Sequence, residues 1–214
     1  MRIVTLENSG QVYTCQVYLV LGGFSRLSDV NTLVDVGQDP AILASIDCAP
    51  TGVGKWAVEQ VVLTHNHSDH CGLLPRIREK YHPKVLAFSP SIHGVDGPLR
   101  DGDTVRMGDE AFEVIHMPGH SSDSICLYNQ SEGVLFAGDS PLLITSEMST
   151  YEAGFLAALD KLCTCDIQRI YFGHGAPLTE RCNARLRESQ RMVSVSLSAV
   201  QRRDGTGHPV CLTP

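Results

Sequence analysis

Eight short apolar runs, rich in β-branched residues, recur along the sequence, and several of them end at a polar side chain beside a glycine. Such runs predict strands over residues 15–21, 32–36, 61–64, 84–88, 111–115, 125–128, 134–137 and 167–172. Amphipathic segments among them predict helices over residues 40–46, 72–81, 150–162 and 178–201. Because strands, helices and a hairpin turn at residues 128–133 mix along the chain, the pattern predicts an α+β fold with two sheets flanked by helices.

The length and composition of the chain predict one domain. A chain of 214 residues, 43% hydrophobic and 19% charged, can bury a sizeable core and does not have the composition of a disordered chain. No linker rich in proline, glycine and serine divides it, so we expect a single domain over residues 1–202. Residues 203–214 carry glycine, proline and threonine and are expected to form a flexible C-terminal tail.

The charge balance and the cysteine content bear on partners and location. A net charge of −7 offers no basic field to attract a polyanion, so a nucleic-acid partner is not expected. No apolar run reaches the ~18 residues of a membrane helix, and the start becomes acidic at Glu7, too soon for a signal peptide. No membrane partner is therefore expected. Eight cysteines without a C-x-x-C pair predict a reducing, cytoplasmic setting.

Residues 65–70, His-Asn-His-Ser-Asp-His, directly follow the predicted strand at residues 61–64. Four of these six side chains can bind a metal: His65, His67, Asp69 and His70. Neutral imidazoles suit zinc and iron, and a carboxylate adds a harder oxygen ligand. In a loop, His65 and His67 can turn toward one ion while Asp69 and His70 turn toward another. The alternative is a polar surface loop that is rich in histidine.

Three more side chains of metal-binding type occupy the same kind of position. His120, Asp139 and His174 each stand beside a glycine just after a predicted strand, where glycine permits a tight turn and a close approach of the backbone. Taken singly, such residues are more often simple turns. If their strands are neighbours in the sheets, the strand ends meet at one edge, where ligands bind in open sheets. Together with residues 65–70 they predict a metal site there.

The order of these motifs resembles that of the metallo-β-lactamase fold superfamily. Asp35 comes first, followed by HNHSDH, PGH at residues 118–120, GD at 138–139 and GHG at 173–175, so the resemblance covers residues 15–178. It implies an αββα four-layer sandwich of two mixed β-sheets flanked by helices, with a two-metal site at one edge of the sheets. The ligand set is similar to that of glyoxalase II, and the subfamily is left unassigned.

The resemblance also implies a role for each of these residues. The implied ligands of the first metal are His65, His67 and His120, those of the second are Asp69, His70 and His174, and Asp139 bridges both. Asp35 is implied to support the ligand loop without touching a metal, the kind of contact that orients a ligating imidazole. The expected cofactors are two Zn²⁺ ions per chain, with iron or manganese as alternatives.

Two such metals imply a hydrolase. A pair of ions can share one water and lower its pKa toward neutrality, and the resulting hydroxide attacks an electrophilic carbonyl or phosphorus. Asp69 is expected to orient that hydroxide and is therefore the candidate catalytic residue. The expected partner is a small-molecule substrate, with a small activated ester, thioester or lactone as the default for a compact member of the family. A homodimer is left open.

Departures from individual subfamilies limit the choice of function. Asp139 stands where class B1 β-lactamases typically carry a cysteine, and Ser140 stands where quorum-lactone hydrolases carry a tyrosine. Only about 40 residues follow the GHG motif, too few for the helical domain of glyoxalase II. Two other functions stay open: a mononuclear iron enzyme similar to persulfide dioxygenases, and a non-catalytic metal-binding module of the same fold. The identity of the metal separates the hydrolase from the iron enzyme.

Other residues capable of chemistry receive simpler interpretations. His93 is expected in an exposed loop, and His116 at the end of a strand rather than as a ligand. Cys71, beside His70, is expected to be a small buried residue that packs under the metal-binding loop rather than a reactive thiolate.

Overall fold

The computed structural model describes residues 1–145 and 153–203, with side chains of the last helix up to residue 194. Six strands form the first sheet, in chain order: β1 (Arg2–Thr5), β2 (Tyr18–Leu21), β3 (Thr32–Val34), β4 (Gln60–Leu63), β5 (Lys84–Ala87) and β6 (Gly97–Pro98). The first three strands are antiparallel neighbours, whereas β3 to β6 run parallel. The first sheet is therefore mixed.

In the part of the chain that the structure describes, five strands form the second sheet: β7 (Thr104–Met107), β8 (Glu110–His116), β9 (Ile125–Asn129), β10 (Val134–Gly138) and β11 (Arg169–Phe172). Strands β7 to β10 form an antiparallel meander, and β11 pairs parallel to β10. The chain between β10 and β11 crosses over through a helix, as a parallel pair requires.

Within the described residues, five helices accompany the sheets: α1 (Ala41–Cys48), α2 (Ser68–Cys71), α3 (Leu74–Tyr81), α4 (Ala153–Thr164) and α5 (Cys182–Arg203). Helices α1 and α3 pack on the outer face of the first sheet, through side chains such as Ile42 and Ile77. Helices α4 and α5 pack on the outer face of the second sheet, through Leu159 and Leu186. No helix among the described residues combines the length and apolarity that crossing a bilayer requires.

A central core joins the two sheets, and its composition follows from strand alternation. Successive side chains of a strand point to opposite faces, so on β2 Tyr18 and Val20 enter the central core while Leu19 and Leu21 face α1 and α3. Phe112 and Phe136 enter the central core from the second sheet. Helix, sheet, sheet and helix thus form four layers, which confirms the predicted fold class.

The strands that the sequence pattern missed lie at the edges of the sheets. β1 and β6 end the first sheet and β7 ends the second. β6 has only two residues and contains a proline, which an edge strand tolerates because its N–H side needs no partner. β7 alternates exposed and buried side chains over only four residues. Such short edges carry too little apolar signal to be detected from sequence.

The start of β2 and the end of β3 differ from the predicted strand boundaries, because the backbone there leaves the sheet. The predicted strand at residues 15–21 begins only at Tyr18, since the N–H groups of Cys15 and Gln16 donate to the carbonyls of Asp69 and Gly173. Strand β3 ends before Asp35, which adopts a left-handed φ of 59°.

The helix predictions also differ at their ends. The helix predicted over residues 72–81 corresponds to α3 and begins two residues later, at Leu74. A separate short helix, α2, precedes it, so Asp69 and His70 lie on a helix rather than in the predicted loop. The predicted helix start at residue 150 lies outside the described residues, as does the predicted tail beyond residue 203.

Candidate metal centre

All seven predicted ligand side chains converge at one edge of the sandwich, just beyond the carboxyl ends of strands. His65 follows β4, and Asp69 and His70 lie on α2 after that strand. His120 lies in the turn after β8, Asp139 directly follows β10, and His174 follows β11. The first sheet thus supplies four of the side chains and the second sheet three. The structure brings together every residue that the sequence singled out here.

Three imidazoles form the first donor group. The Nδ1 atom of His67 lies 3.0 Å from Nε2 of His65 and 2.9 Å from Nε2 of His120. Four tetrahedral nitrogen ligands at the ~2.0–2.1 Å typical of zinc lie ~3.3 Å from one another. The three nitrogens therefore stand close to the mutual spacing of zinc ligands. His65 is buried, whereas His67 and His120 are exposed.

Two carboxylates and two imidazoles form the second donor group. The Nε2 atom of His174 lies 3.1 Å from Oδ2 of Asp69, and Nε2 of His70 lies 3.7 Å from the same oxygen. Asp139 completes the group. A set of two imidazoles and two carboxylates is suited to Zn²⁺, Fe²⁺ or Mn²⁺.

Asp139 lies between the two donor groups. Its Oδ2 atom is 3.4 Å from Nε2 of His120 and 3.4 Å from Nε2 of His174. Its Oδ1 atom is 3.2 Å from Nε2 of His70. One carboxylate thus faces imidazoles of both groups, which is the placement that a bridging ligand requires.

A network behind the ligands sets which nitrogen two of the histidines present. Asp35 is an acceptor only, and its Oδ2 atom lies 2.8 Å from Nδ1 of His70 and 2.9 Å from the Thr64 hydroxyl. Because that hydroxyl has a single proton and donates it to Asp35, it can only accept from Nδ1 of His65, 3.1 Å away. Both rings then carry their proton on Nδ1 and direct the Nε2 lone pair at the centre.

Two of the donor atoms lack the hydrogen-bond partners that buried polar groups normally have. Nε2 of His70 and Oδ1 of Asp139 are buried and, among the described residues, make no hydrogen bond with acceptable geometry, although they lie 3.2 Å apart. When the His70 ring is neutral, with its one proton on Nδ1, its Nε2 atom and Oδ1 of Asp139 are two acceptors that face each other. A cation between them would satisfy both, so the residues present fit a bound metal.

The electrostatics of the cluster point the same way. Burial, followed by the charges of neighbouring histidines, lowers the pKa of His65 to about 4, so its ring is neutral and able to ligate. Burial opposes the charged form of His70, but the carboxylates of Asp35 and Asp139 outweigh it and raise the pKa of His70 above its usual range. Burial likewise opposes the charged form of Asp139, but contact with His70 and His174 lowers its pKa to about 2. The cluster therefore favours positive charge where a metal would bind.

Two glycines permit this packing. A Cβ atom on Gly173 would lie 2.1 Å from Oδ1 of Asp139 and 2.6 Å from Cε1 of His70. A Cβ atom on Gly138 would lie 2.7 Å from the Thr64 hydroxyl, and Gly138 has a φ of 52°. The glycines of the GD and GHG motifs thus allow the close backbone approach that their positions predict.

Thr64 and Tyr13 are site residues that sequence reasoning missed. Thr64 is the last residue before the HNHSDH segment, so a hydroxyl at that strand end was an available signal. Tyr13 gave no such signal, because it meets His174 across 161 positions of sequence. His93 is exposed, and His116 ends β8 with its ring stacked on Phe88. Both positions are as predicted.

Cys71, the last residue of α2, is half-buried rather than fully buried, and it packs against the core between the first sheet and helices α1 and α3. Burial raises the pKa of its thiol. A thiolate is therefore disfavoured at this position, in keeping with the structural interpretation of this residue.

Comparison with known proteins identifies the family. The sequence profile of the metallo-beta-lactamase superfamily matches residues 12–93 and 88–174, most of the chain. An atrochrysone carboxyl ACP thioesterase from Cryptosporiopsis sp. is 26% identical over 81% of this chain and 53% of its own length. A hydroxyacylglutathione hydrolase from Klebsiella pneumoniae is 34% identical over 50% of this chain and 41% of its own length. The chain thus spans about half the length of these relatives.

Solved structures show the same fold at lower identity. ETHE1 from Myxococcus xanthus superposes with a TM-score of 0.66 at 20% identity, over 98% of this chain and 93% of that chain. A metallo-beta-lactamase family protein from Thermus thermophilus superposes with a TM-score of 0.63 at 23% identity, over 92% of this chain and 80% of that chain. With its profile match, its two mixed sheets and its converging histidines and aspartates, the chain belongs to the metallo-beta-lactamase superfamily.

Proposed function

We propose that the chain is a dinuclear metal-dependent hydrolase of acyl substrates, with thioesters as the favoured class and activated esters or lactones as alternatives. The observation that carries the proposal is the position of Asp139, which faces imidazoles of both donor groups at 3.2–3.4 Å. The proposed ligands of the first metal are His65, His67 and His120, those of the second are Asp69, His70 and His174, and Asp139 bridges both. Two Zn²⁺ ions are the proposed cofactors.

Two bound divalent ions supply a water of lowered pKa and polarise the substrate's carbonyl oxygen. The chain contributes the geometry and the proton transfer. Asp69 is the proposed acceptor of the proton that the attacking water loses, because its carboxylate lies within the second donor group, 3.1 Å from Nε2 of His174. Asp35 cannot take that role, since both of its oxygens accept hydrogen bonds from Thr64 and His70 behind the ligands.

The size of the cavity beside the candidate metal centre limits how much of a substrate it can enclose. An open cavity of about 230 Å³ adjoins the centre and is lined by His120, Gly138, Asp139, Ser140, Phe172 and His174. Such a cavity holds the reacting group of a substrate but little more, so the remainder would lie along the surface. The two relatives, a thioesterase and a hydrolase of hydroxyacylglutathione, support a thioester in which the acyl group is attached to a larger carrier.

Metal analysis combined with a hydrolysis assay tests the proposal. Protein purified without added metal is analysed by plasma mass spectrometry and assayed against thioesters, esters and lactones. Asp139→Asn, which keeps the size of the bridging side chain, is compared with Asp160→Asn, a matched change on exposed α4 surface. We expect about two zinc ions per chain and hydrolysis for the wild type and Asp160→Asn, and loss of metal and activity for Asp139→Asn.

Other metal contents would favour the competing functions. About one iron per chain with zinc absent would overturn the hydrolase proposal and favour an iron enzyme similar to persulfide dioxygenases. No bound metal after reconstitution would overturn both enzymatic functions. Two metals without hydrolysis of any substrate in the panel would leave a non-catalytic metal-binding module.

A further inference from the structure

Tyr13 lies over the metal centre with its side chain open to solvent. Its ring stacks on the His174 ring, with centroids 5.1 Å apart and an interplanar angle of 18°. Its hydroxyl lies 3.3 Å from Nε2 of His174, the atom that faces Asp69 and Asp139. The side chain is nevertheless 71% exposed. A phenol hydroxyl therefore borders the reacting centre without being part of either donor group.

The backbone around Tyr13 is held in place by Gln38, between β3 and α1, and by Asp69 on α2. The Tyr13 carbonyl accepts a hydrogen bond from the Gln38 side chain, and the Thr14 hydroxyl accepts one from the Gln38 N–H at 2.9 Å. The Cys15 N–H donates to the Asp69 carbonyl at 3.1 Å. The Tyr13 side chain has only two rotatable bonds and is attached to a backbone fixed by hydrogen bonds. It therefore loses little conformational entropy when it contacts a ligand.

His174 cannot serve Tyr13 and a metal through the same atom. The Nε2 atom of a neutral imidazole has either one proton or one lone pair. If the lone pair binds a cation, it can no longer accept from the Tyr13 hydroxyl. The hydroxyl then has a proton to donate beside the centre, and among the described residues His174 is the hydrogen-bond partner that the structure gives it. A substrate oxygen at the centre is the natural acceptor.

We propose that Tyr13 is a substrate-contacting residue whose hydroxyl donates a hydrogen bond to the carbonyl oxygen of the bound acyl group, while its ring forms an apolar wall for the acyl chain. This inference rests on the proposed function. As the carbonyl is attacked, negative charge grows on its oxygen, and a donor placed there stabilises the charge. Tyr13 is exposed, so its contribution is smaller than that of a fully enclosed donor.

Two substitutions separate the hydroxyl from the ring. Tyr13→Phe removes the hydroxyl and keeps the ring that stacks on His174, whereas Tyr13→Ala removes both. Tyr128→Phe is the matched control, because its hydroxyl donates to the Asp166 carbonyl at 3.1 Å, before β11 and away from the ligands. For each variant, kcat and KM are measured with the best thioester of the panel. Zinc content and zinc affinity by chelator competition are measured on the same preparations.

For Tyr13→Phe we expect kcat to fall about 10- to 100-fold, with KM and zinc affinity unchanged within about twofold. For Tyr13→Ala we expect KM to rise as well, most for long acyl chains. Tyr128→Phe should match the wild type. If the activity lost in Tyr13→Phe follows lost zinc, Tyr13 only holds His174 and the proposal is overturned. Wild-type kinetics in Tyr13→Phe would also overturn it, whereas a wild type that hydrolyses nothing would overturn the proposed function itself.

Discussion

At the scale of single residues, a threonine outside the ligand set links the Asp35 carboxylate to the His65 ring. Thr64 donates to Asp35 and accepts from His65, so one hydroxyl links a buried carboxylate to an imidazole. Its own N–H donates to the other oxygen of Asp35 at 2.8 Å. Asp35 is thus connected to His65 through the Thr64 hydroxyl, and it accepts a hydrogen bond from His70 directly.

Thr64→Val keeps the shape of this side chain and removes the hydroxyl that links Asp35 to His65. We expect zinc affinity to fall about 10- to 100-fold, because His65 loses the acceptor that keeps its proton on Nδ1. Chelator competition measures the affinity. Thr164→Val, which removes a hydroxyl that donates to the Lys161 carbonyl at the end of α4, is the control. An unchanged zinc affinity in Thr64→Val would show that this hydroxyl does not orient His65.

Gly173 leaves no room for a side chain, because it lies directly against Asp139 and His70. Gly173→Ala places a methyl group 2.1 Å from Asp139 and 2.6 Å from His70, so at least one of these side chains must move. We expect reduced metal content per chain with the fold retained, as judged by circular dichroism. Gly23→Ala is the control, since its Cβ would make ordinary contact at 3.5 Å. Full metal content in Gly173→Ala would contradict this account.

At the scale of elements, Asp39 fastens the start of α1 to the segment between β1 and β2. Its Oδ1 atom accepts from the Ala41 N–H at 3.0 Å, and its Oδ2 atom accepts from the N–H and hydroxyl of Ser9, both at 2.6 Å. These bonds, first of all the Ser9 hydroxyl, lower the pKa of Asp39 below its ordinary value. The Asp39 carboxylate, one residue before the N-cap position Pro40, therefore accepts the first N–H of α1.

Asp39→Ala should lower the free energy of unfolding by ~1 kcal/mol at pH 7. The lowered pKa means that the unfolded chain binds a proton at Asp39 more readily than the native chain does. The contribution is therefore complete above the unfolded pKa of ~3.9 and is lost as the pH falls through the lower native pKa. Urea unfolding of both proteins at pH 7 and pH 3 measures the difference, and a difference that grew at pH 3 would contradict this sign.

At the scale of the whole molecule, the candidate metal centre lies where the two sheets meet. The first sheet contributes His65, His67, Asp69 and His70 through β4 and α2, and the second contributes His120, Asp139 and His174. Backbone bonds support the same junction, since the Ile125 N–H donates to the Thr64 carbonyl at 2.9 Å. Bound metal would therefore link two layers that otherwise meet through the central core.

Removal of metal should lower the melting temperature. A ligand at a thousand times its Kd stabilises the native state by ~4 kcal/mol, and each kcal/mol moves the melting temperature of a chain this size by ~2–4 °C. We expect a fall of about 8–16 °C on treatment with a chelator, measured by differential scanning calorimetry. The exposed His93→Ala should show the same fall, and Asp139→Asn a smaller one. Equal melting temperatures with and without chelator would show that no metal links the sheets.

Much of this architecture could be predicted because its signal is local. The apolar runs of β4, β9 and β10 are buried on both faces, so their composition alone marks them as strands. The edge strands β1, β6 and β7 are short and not fully buried, so they lack the continuous apolar run that marks a central strand. Local composition therefore predicts the centres of the sheets better than their edges.

The metal-binding residue types and their order were determined by the sequence itself, since donor chemistry belongs to the side chain and the HNHSDH spacing is local. Only the tertiary structure placed Thr64 between Asp35 and His65, put Asp139 between the two donor groups, and brought Tyr13 over His174. These contacts join residues up to 161 positions apart, and such distances depend on how the two sheets pack. Local sequence contains no record of that packing, because it results from the burial of the whole core.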